Sequence, residues 1–244
     1  MAGFRSFFPQ GALSAGQTAK LDVAESRHLT KALRARPGDA VTLFDGRGTA
    51  WDCVLTETGR DAVVRVETEL APAKPAAQLT LAVGLLKGKA LDAVIKCAVE
   101  LGAAGIVPLF TRHSEVRLDA DRAESKAAHW RTTAIEAAKQ SGNLAAFSVA
   151  TPVTLEDWLK GDLSNATKLV ASLEPGAVPI LAAVREPSRP ILVLIGPEGD
   201  FSAEEYARIR ATGFTPVDLG PHVLRAETAC TYVASALQAH LHAI

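Results

Sequence analysis

Cysteine is scarce in this chain, and what there is points away from cross-linking. Cys53, Cys97 and Cys230 are odd in number and far apart, with no C-x-x-C pair and no zinc-ligand spacing. A disulfide framework and a structural zinc site are therefore set aside, and three buried thiols in a reducing compartment are expected. There is no uninterrupted apolar run of about eighteen residues, the length that a bilayer-spanning helix needs. The opening residues, MAGFRSFFPQGALSAGQ, lack the long apolar core of a secretory signal. A cytoplasmic protein without membrane association is the expectation. Nor is charge of one sign in excess: 26 Lys and Arg against 27 Asp and Glu give a formal net charge of −1. The chain as a whole is not built to coat nucleic acid, although a local basic face remains open to it.

Several motifs are absent as well. The six histidines show no HExxH or paired spacing, so no metal is expected. His240 and His242 read as the surface of a C-terminal helix, whose last turn favours cations. GRGTAW (46–51) lacks the third glycine of a dinucleotide fingerprint, and a strand follows it where a helix is needed, so it reads as a hairpin. GLLKGKALD (84–92) is one residue short of a phosphate-binding P-loop, with Ala90 where a magnesium-binding Ser or Thr belongs. A dinucleotide oxidoreductase and an ATP site are both set aside.

What is present is an ordinary globular composition, 48% hydrophobic and 22% charged over 244 residues, enough for one large domain or two modest ones. Residues 1–70 are β-rich. AVTLFDGRG (40–48) and TAWDCVLTET (49–58) read as strands around an Asp-Gly turn, DAVVRVETEL (61–70) as another strand, and ESRHLTKALR (25–34) as a short helix. A small barrel fits this pattern. APAKPAA (71–77) is the best linker candidate. Beyond it, strands are expected at 78–86, 106–110, 146–150, 167–175, 190–199 and 215–221. Helices are expected near 89–105, 119–141 and 226–242. Continuous apolar strands alternating with helices imply an α/β fold, a mostly parallel sheet covered on both faces, with ligands at the carboxyl ends of its strands.

Two stretches carry chemistry. In LIGPEGDFSAEE (194–205) an apolar strand stops at Gly196-Pro197-Glu198-Gly199. Ser202-x-x-Glu205 is a capping box and accounts for the helix start alone. The glycines before it let a backbone approach a ligand with no Cβ in the way. VDLGPHVLRAETA (217–229) repeats the design, with Arg225 and Glu227 flanking a helix start. Glu227 is a natural first-turn acid, but an arginine there opposes the helix dipole. Its local cost favours a functional reason; a salt bridge to Glu198 or Glu227 is the structural alternative. Spacing alone gives a ligand site at two facing loops and names no ligand.

Together these residues closely resemble the RsmE family of ribosomal RNA methyltransferases, within the SPOUT superfamily. The resemblance is carried by LIGPEGDFSAEE and LGPHVLRAETA (219–229), with support from IKCAVELGAAGIVPLF (95–110), HWRTTAIEAAKQSG (129–142) and HLTKALRARPGDAVTLFDG (28–46). It runs from about residue 4 to the C-terminus. It implies a PUA-like RNA-binding β-barrel over 1–72 and, over 73–244, a SPOUT-type knotted parallel sheet with helices on both faces. It further implies a homodimer, S-adenosylmethionine as cofactor, and N3-methyluridine as product in 16S ribosomal RNA of the small subunit, at uridine 1498 in reference ribosomal numbering. A non-catalytic RNA-binding protein that keeps this fold is the alternative.

Carried over by position, the cofactor rests on three strand ends: Leu173 and Glu174; Ile195, Gly196, Pro197 and Gly199; and Leu219, Gly220, Val223 and Leu224. Arg225 stabilises negative charge developing on the uracil, with Glu198 or Glu227 orienting it. Arg5, Arg27, Lys31, Arg34, Arg36, Arg112 and His222 are the RNA-binding candidates. His113, Asn143 and His222 stand where the family often has arginine, and Asp200 where it often has glycine. Losing those arginines weakens phosphate contacts. Trp130 falls where the family also has tryptophan and reads as core, or as a floor beneath the cofactor. The apolar stripe of TACTYVASALQAHLHAI (228–244) suits a subunit interface.

Overall fold

The computed structural model describes residues 3–71, 78–186 and 188–242. Apart from Ala71, the expected linker lies outside the described residues. The chain divides into two units: Met1–Lys74 with Ala138–Phe147, and Pro75–Ala137 with Ser148–Ile244.

In the first unit five strands, β1 (Phe4–Phe7), β2 (Thr18–Lys20), β3 (Ala40–Phe44), β4 (Ala50–Glu57) and β5 (Val63–Leu70), form one sheet in the order β1-β3-β4-β5-β2. The β1–β3 pairing is parallel and the others are antiparallel. Alternation decides which face is buried: Val41 and Leu43, Trp51, Cys53 and Leu55, and Val64 and Val66 all enter one core. Register shifts in the β4–β5 pair at Asp52/Cys53 and Leu55/Glu57 curl the sheet. The helix expected over 25–34 is α1 (Val23–Arg27), N-capped by Asp22, and runs on as a π-helical turn over His28–Ala32. Arg34 then ends it at φ 59°. Glu25 is buried here with the Lys139 ammonium 2.8 Å away, and its other oxygen accepts the Phe7 N–H. The pairing meets the need of a buried charge for a partner.

The second unit is one parallel sheet of eight strands: β6 (Leu79–Gly84), β7 (Gly105–Phe110), β8 (Ser148–Val149), β9 (Val153–Thr154), β10 (Thr167–Ala171), β11 (Val178–Pro179), β12 (Ile191–Ile195) and β13 (Thr215–Asp218). The order is β11-β13-β10-β12-β6-β7-β8, with β9 also on β7. The helices are α2 (Ala90–Glu100), α3 (Ala120–Ser141), α4 (Leu155–Leu159), α5 (Ile180–Ala183), α6 (Ala203–Ala211) and α7 (Ala226–His242). A wholly parallel sheet must be covered on both faces, and this one is. Ala82, Leu109, Val170 and Leu194 pack with Leu155, Phe201, Tyr206, Ile209 and Phe214. The alternate face meets α2 and α7. β9, α4, β11 and α5 were not expected, because two to five residues carry no readable period. Cys53 and Cys230 are buried, but Cys97 is half-buried, since it lies at the edge of the α2 stripe formed by Leu91, Val94, Ile95, Ala98 and Val99.

The strand order does one thing for function. β13, β10 and β12 are neighbours although far apart in sequence, so the segments that leave their carboxyl ends emerge side by side.

Candidate functional site

A cleft of about 590 Å³ opens at those three strand ends. Its walls are Ala171–Leu173 after β10, Ile195–Glu198 with Asp200 after β12, and Asp218–Gly220 with His222–Glu227 after β13; Lys87 and Ala90 complete it from the β6–α2 connection.

The second wall is held by identifiable contacts. Pro197 has no N–H to continue the ladder, so β12 stops. Beyond it Asp200 adopts φ 58°, a left-handed conformation that aspartate tolerates better than most residues. Its carboxylate accepts the Phe201 N–H at 2.8 Å and the Tyr206 hydroxyl at 3.0 Å. Burial and the adjacent Asp200 push the Tyr206 hydroxyl well above its ordinary range, which keeps it a donor. The expected capping box is present: Ser202 Oγ accepts the Glu205 N–H at 3.3 Å and Glu205 Oε2 accepts the Ser202 N–H at 2.8 Å. Glu205 Oε1 also accepts the Arg112 N–H at 2.8 Å.

The third wall turns at Gly220, whose φ of 114° suits glycine, with Asp218 Oδ1 accepting its N–H at 2.7 Å. The Arg225 carbonyl starts α7 by accepting the Ala229 N–H at 2.8 Å. The Arg225 side chain is exposed and, among the described residues, has no ion-pair or hydrogen-bond partner. The salt bridge to Glu198 or Glu227 weighed from the sequence does not form. Glu198 instead accepts the Lys87 N–H at 3.2 Å, and the Lys87 ammonium pairs with Glu115 at 2.7 Å.

Of the residues anticipated from the sequence, Leu173, Ile195, Gly196, Pro197, Glu198, Leu219, Gly220, Val223, Leu224, Arg225 and Glu227 line one cleft, joined by His222. Glu174 and Gly199 do not line it. The Glu174 carboxylate binds Arg210 at 2.8 Å, and Gly199 backs onto His113. Among the RNA candidates, Arg27, Lys31, Arg34, Arg36 and Arg112 are exposed. Arg5 is engaged inside the first unit, where it donates to the Lys139 carbonyl at 2.8 Å. Trp130 is 4% exposed and donates to Asp92 at 3.0 Å; it is core and does not line the cleft.

Sequence reading missed Lys87, Ala90, Ser172 and Asp218 as lining residues. The first two lie in the stretch set aside as a failed P-loop. Its glycines and lysines after a strand are the signal that marks them. No pattern marks Ser172 or Asp218.

The family model of an RNA methyltransferase domain matches residues 72–238, and that of an RNA methyltransferase PUA domain matches residues 21–67. Ribosomal RNA small subunit methyltransferase E of Synechocystis is 29% identical over 227 residues, covering 92% of this chain and 74% of the relative. That of Bacillus subtilis is 27% identical over 233 residues, covering 87% and 86%. The crystal structure of ribosomal RNA small subunit methyltransferase E from Neisseria gonorrhoeae, bound to S-adenosylmethionine, superposes with a TM-score of 0.88 at 31% identity, covering 97% of each chain. A Legionella pneumophila protein solved with the same cofactor gives 0.89 at 29%, covering 98% of each.

Proposed function

The chain belongs to the RNA methyltransferase family, with the family's PUA domain ahead of its methyltransferase domain, and from that membership we propose that it uses S-adenosylmethionine to methylate N3 of a uridine in 16S ribosomal RNA. One observation carries the reading. An exposed guanidinium, Arg225, unpaired among the described residues, lies on the wall of a cleft built from three strand ends.

The lining suits the cofactor. Its volume, about 590 Å³, is in the range of small-molecule sites. Ile195, Leu219 and Leu224 offer apolar surface for an adenine. The turn backbones at 196–198 and 218–220 offer N–H and C=O groups for its edge and for a ribose, and Asp200 and Asp218 offer carboxylates for hydroxyl or ammonium donors. When bound there, S-adenosylmethionine supplies an electrophilic methyl group on a sulfonium. The chain's own work is positioning and electrostatics. Uridine N3 must lose its proton to become a good nucleophile, and negative charge spreads to the uracil oxygens. Arg225 stays charged and offers forked donors to those oxygens. Glu198 is tethered by the Lys87 N–H, and Glu227 sits in the first turn of α7; both carry negative charge that biases where the guanidinium rests. Holding the base against the cleft adds proximity and orientation.

The same reading takes the chain to be a cytoplasmic, knotted homodimer acting on uridine 1498 of the small subunit. Among the described residues no helix is long and apolar enough to cross a membrane. The apolar stripe of 228–244 expected at an interface is instead buried within the chain at Ala229, Cys230, Val233, Ala234, Leu237 and Leu241. Exposed Leu173, Val178, Leu181, Val223 and Tyr232 around β11, α5 and the start of α7 are the apolar surface that a second copy would cover.

The test is methyl transfer. Purified protein is incubated with labelled S-adenosylmethionine and small subunits lacking the modification, and the product nucleoside is identified by mass spectrometry. N3-methyluridine at one position is expected. Cofactor binding without transfer would leave the fold reading intact and move suspicion to His113, Asn143 and His222, which replace family arginines, and absence of cofactor binding would remove the enzyme reading.

A further inference from the structure

One imidazole ties the β7–α3 connection to the second wall of the cleft. His113 Nδ1 lies 2.9 Å from the Gly199 carbonyl oxygen and 3.1 Å from that of Asp200. Carbonyl oxygens only accept, so Nδ1 carries the hydrogen and shares it between them. Among the described residues Nε2 has no hydrogen-bond partner. The approach is close enough to dictate a neighbour: a Cβ on Gly199 would stand 2.9 Å from His113 Cβ. The adjacent residue repeats the tie through its backbone, with the Arg112 N–H on Glu205 Oε1 at 2.8 Å.

Asp200 is left-handed without being glycine, held by its carboxylate on the Phe201 N–H and the Tyr206 hydroxyl and by the His113 ring on its carbonyl. The two carbonyls that His113 grips belong to this residue and the one before it, and Asp200 itself lines the cleft beside Gly196, Pro197 and Glu198.

We propose that His113 is a positioning residue of the cleft: its Nδ1–H fixes the Gly199 and Asp200 carbonyls and so sets the wall formed by 196–200. On this account the ring acts through one N–H donor and not through charge on a nucleic acid. The proposal rests on the reading that the cleft takes S-adenosylmethionine.

Three substitutions separate donor from charge. His113→Asn places an amide N–H₂ near the position of Nδ1, His113→Gln places one near Nε2, and His113→Phe places none; all three remove any positive charge. Folding of each is checked by thermal unfolding. Two readouts are taken: amide exchange over 199–202 without ligand, and the Kd for S-adenosylmethionine by calorimetry. Expected results are protection and Kd near wild type for Asn, but faster exchange and about tenfold weaker binding for Gln and Phe, the size of one lost hydrogen bond. KM for the cofactor should rise in the latter two while KM for small subunits does not. Wild-type exchange in all three would overturn the proposal, as would an equal loss of subunit affinity in all three with cofactor binding intact. If the wild type failed to bind the cofactor, that would sink the reading of the cleft, while the exchange data would still judge the latch.

Discussion

Pro197 rests directly on Gly84. A Cβ built on Gly84 would stand 2.5 Å from Pro197 Cδ and 2.7 Å from its nitrogen. The end of β6 therefore supports the loop that walls the cleft, and it can do so only as glycine. Gly84 does not need a left-handed φ, so the cost of Gly84→Ala is steric alone, about 1–3 kcal/mol of overpacking. Urea unfolding should show that loss, and cofactor affinity should fall with it. Adding Pro197→Ala removes Cδ but leaves the nitrogen, so rescue should be partial. Full rescue, or no loss in the single variant, would contradict the contact.

Arg225→Ala should leave stability within about 0.5 kcal/mol of wild type, as for surface changes away from special features, because the guanidinium has no partner among the described residues to lose. Methyl transfer should fall by roughly 10²–10³, the usual effect of removing a donor aimed at developing charge. Arg225→Lys should not restore it, since an ammonium lacks the planar fork. Single-turnover rates beside thermal melts test both halves.

Ser202→Ala removes a cap from α6 and should cost about 1 kcal/mol. Glu205→Ala should cost more, because Glu205 bonds both the Ser202 N–H and the Arg112 N–H. If the two variants had equal unfolding midpoints, the tie between Glu205 and the β7–α3 connection would contribute nothing.

Burial raises the Cys53 thiol from 9.0 to about 11, with the Leu43 backbone opposing the shift. The folded state therefore keeps a proton that the unfolded state gives up. The stabilisation is whole below pH 9.0 and is lost as pH rises through about 11. The stability difference between wild type and Cys53→Ala should narrow across that window, as measured by denaturant titration at successive pH values. A difference that is flat with pH would refute the assignment.

A charge placed on the exposed apolar surface, as in Leu181→Glu, should convert a dimer to a monomer in sedimentation experiments while leaving the fold intact. Leu181 is 43% exposed, so the change costs the isolated chain little. Wild type that sediments as a monomer would remove the dimer from the proposed function.

Local sequence made much of this molecule legible. Alternation in AWDCVLTE and the continuous apolar run ILVLI give strands of two kinds, one half-buried and one covered on both faces, because burial follows side-chain direction. Ser202 and Glu205 fix a helix start through a bond spanning three residues, which needs nothing from elsewhere. The glycines of 196–199 and 219–220 marked both main walls of the cleft for the same local reason.

Long-range placement belonged to the tertiary structure. The β10–β12–β13 neighbourhood, the seat of Pro197 on Gly84, and the use of His113 as a donor to Gly199 and Asp200 join residues far apart in the chain. Periodicity reports which side of an element is buried; it carries no information about what packs there. So the sequence by itself determined the longer elements, the start of α6 and the loops built for close approach. Only the folded chain decided that Lys87 and Asp218 join the cleft, that Glu174 turns away to Arg210, and that Arg225 has no partner among the described residues. Each of those outcomes depends on distances set by the order of strands in the sheet.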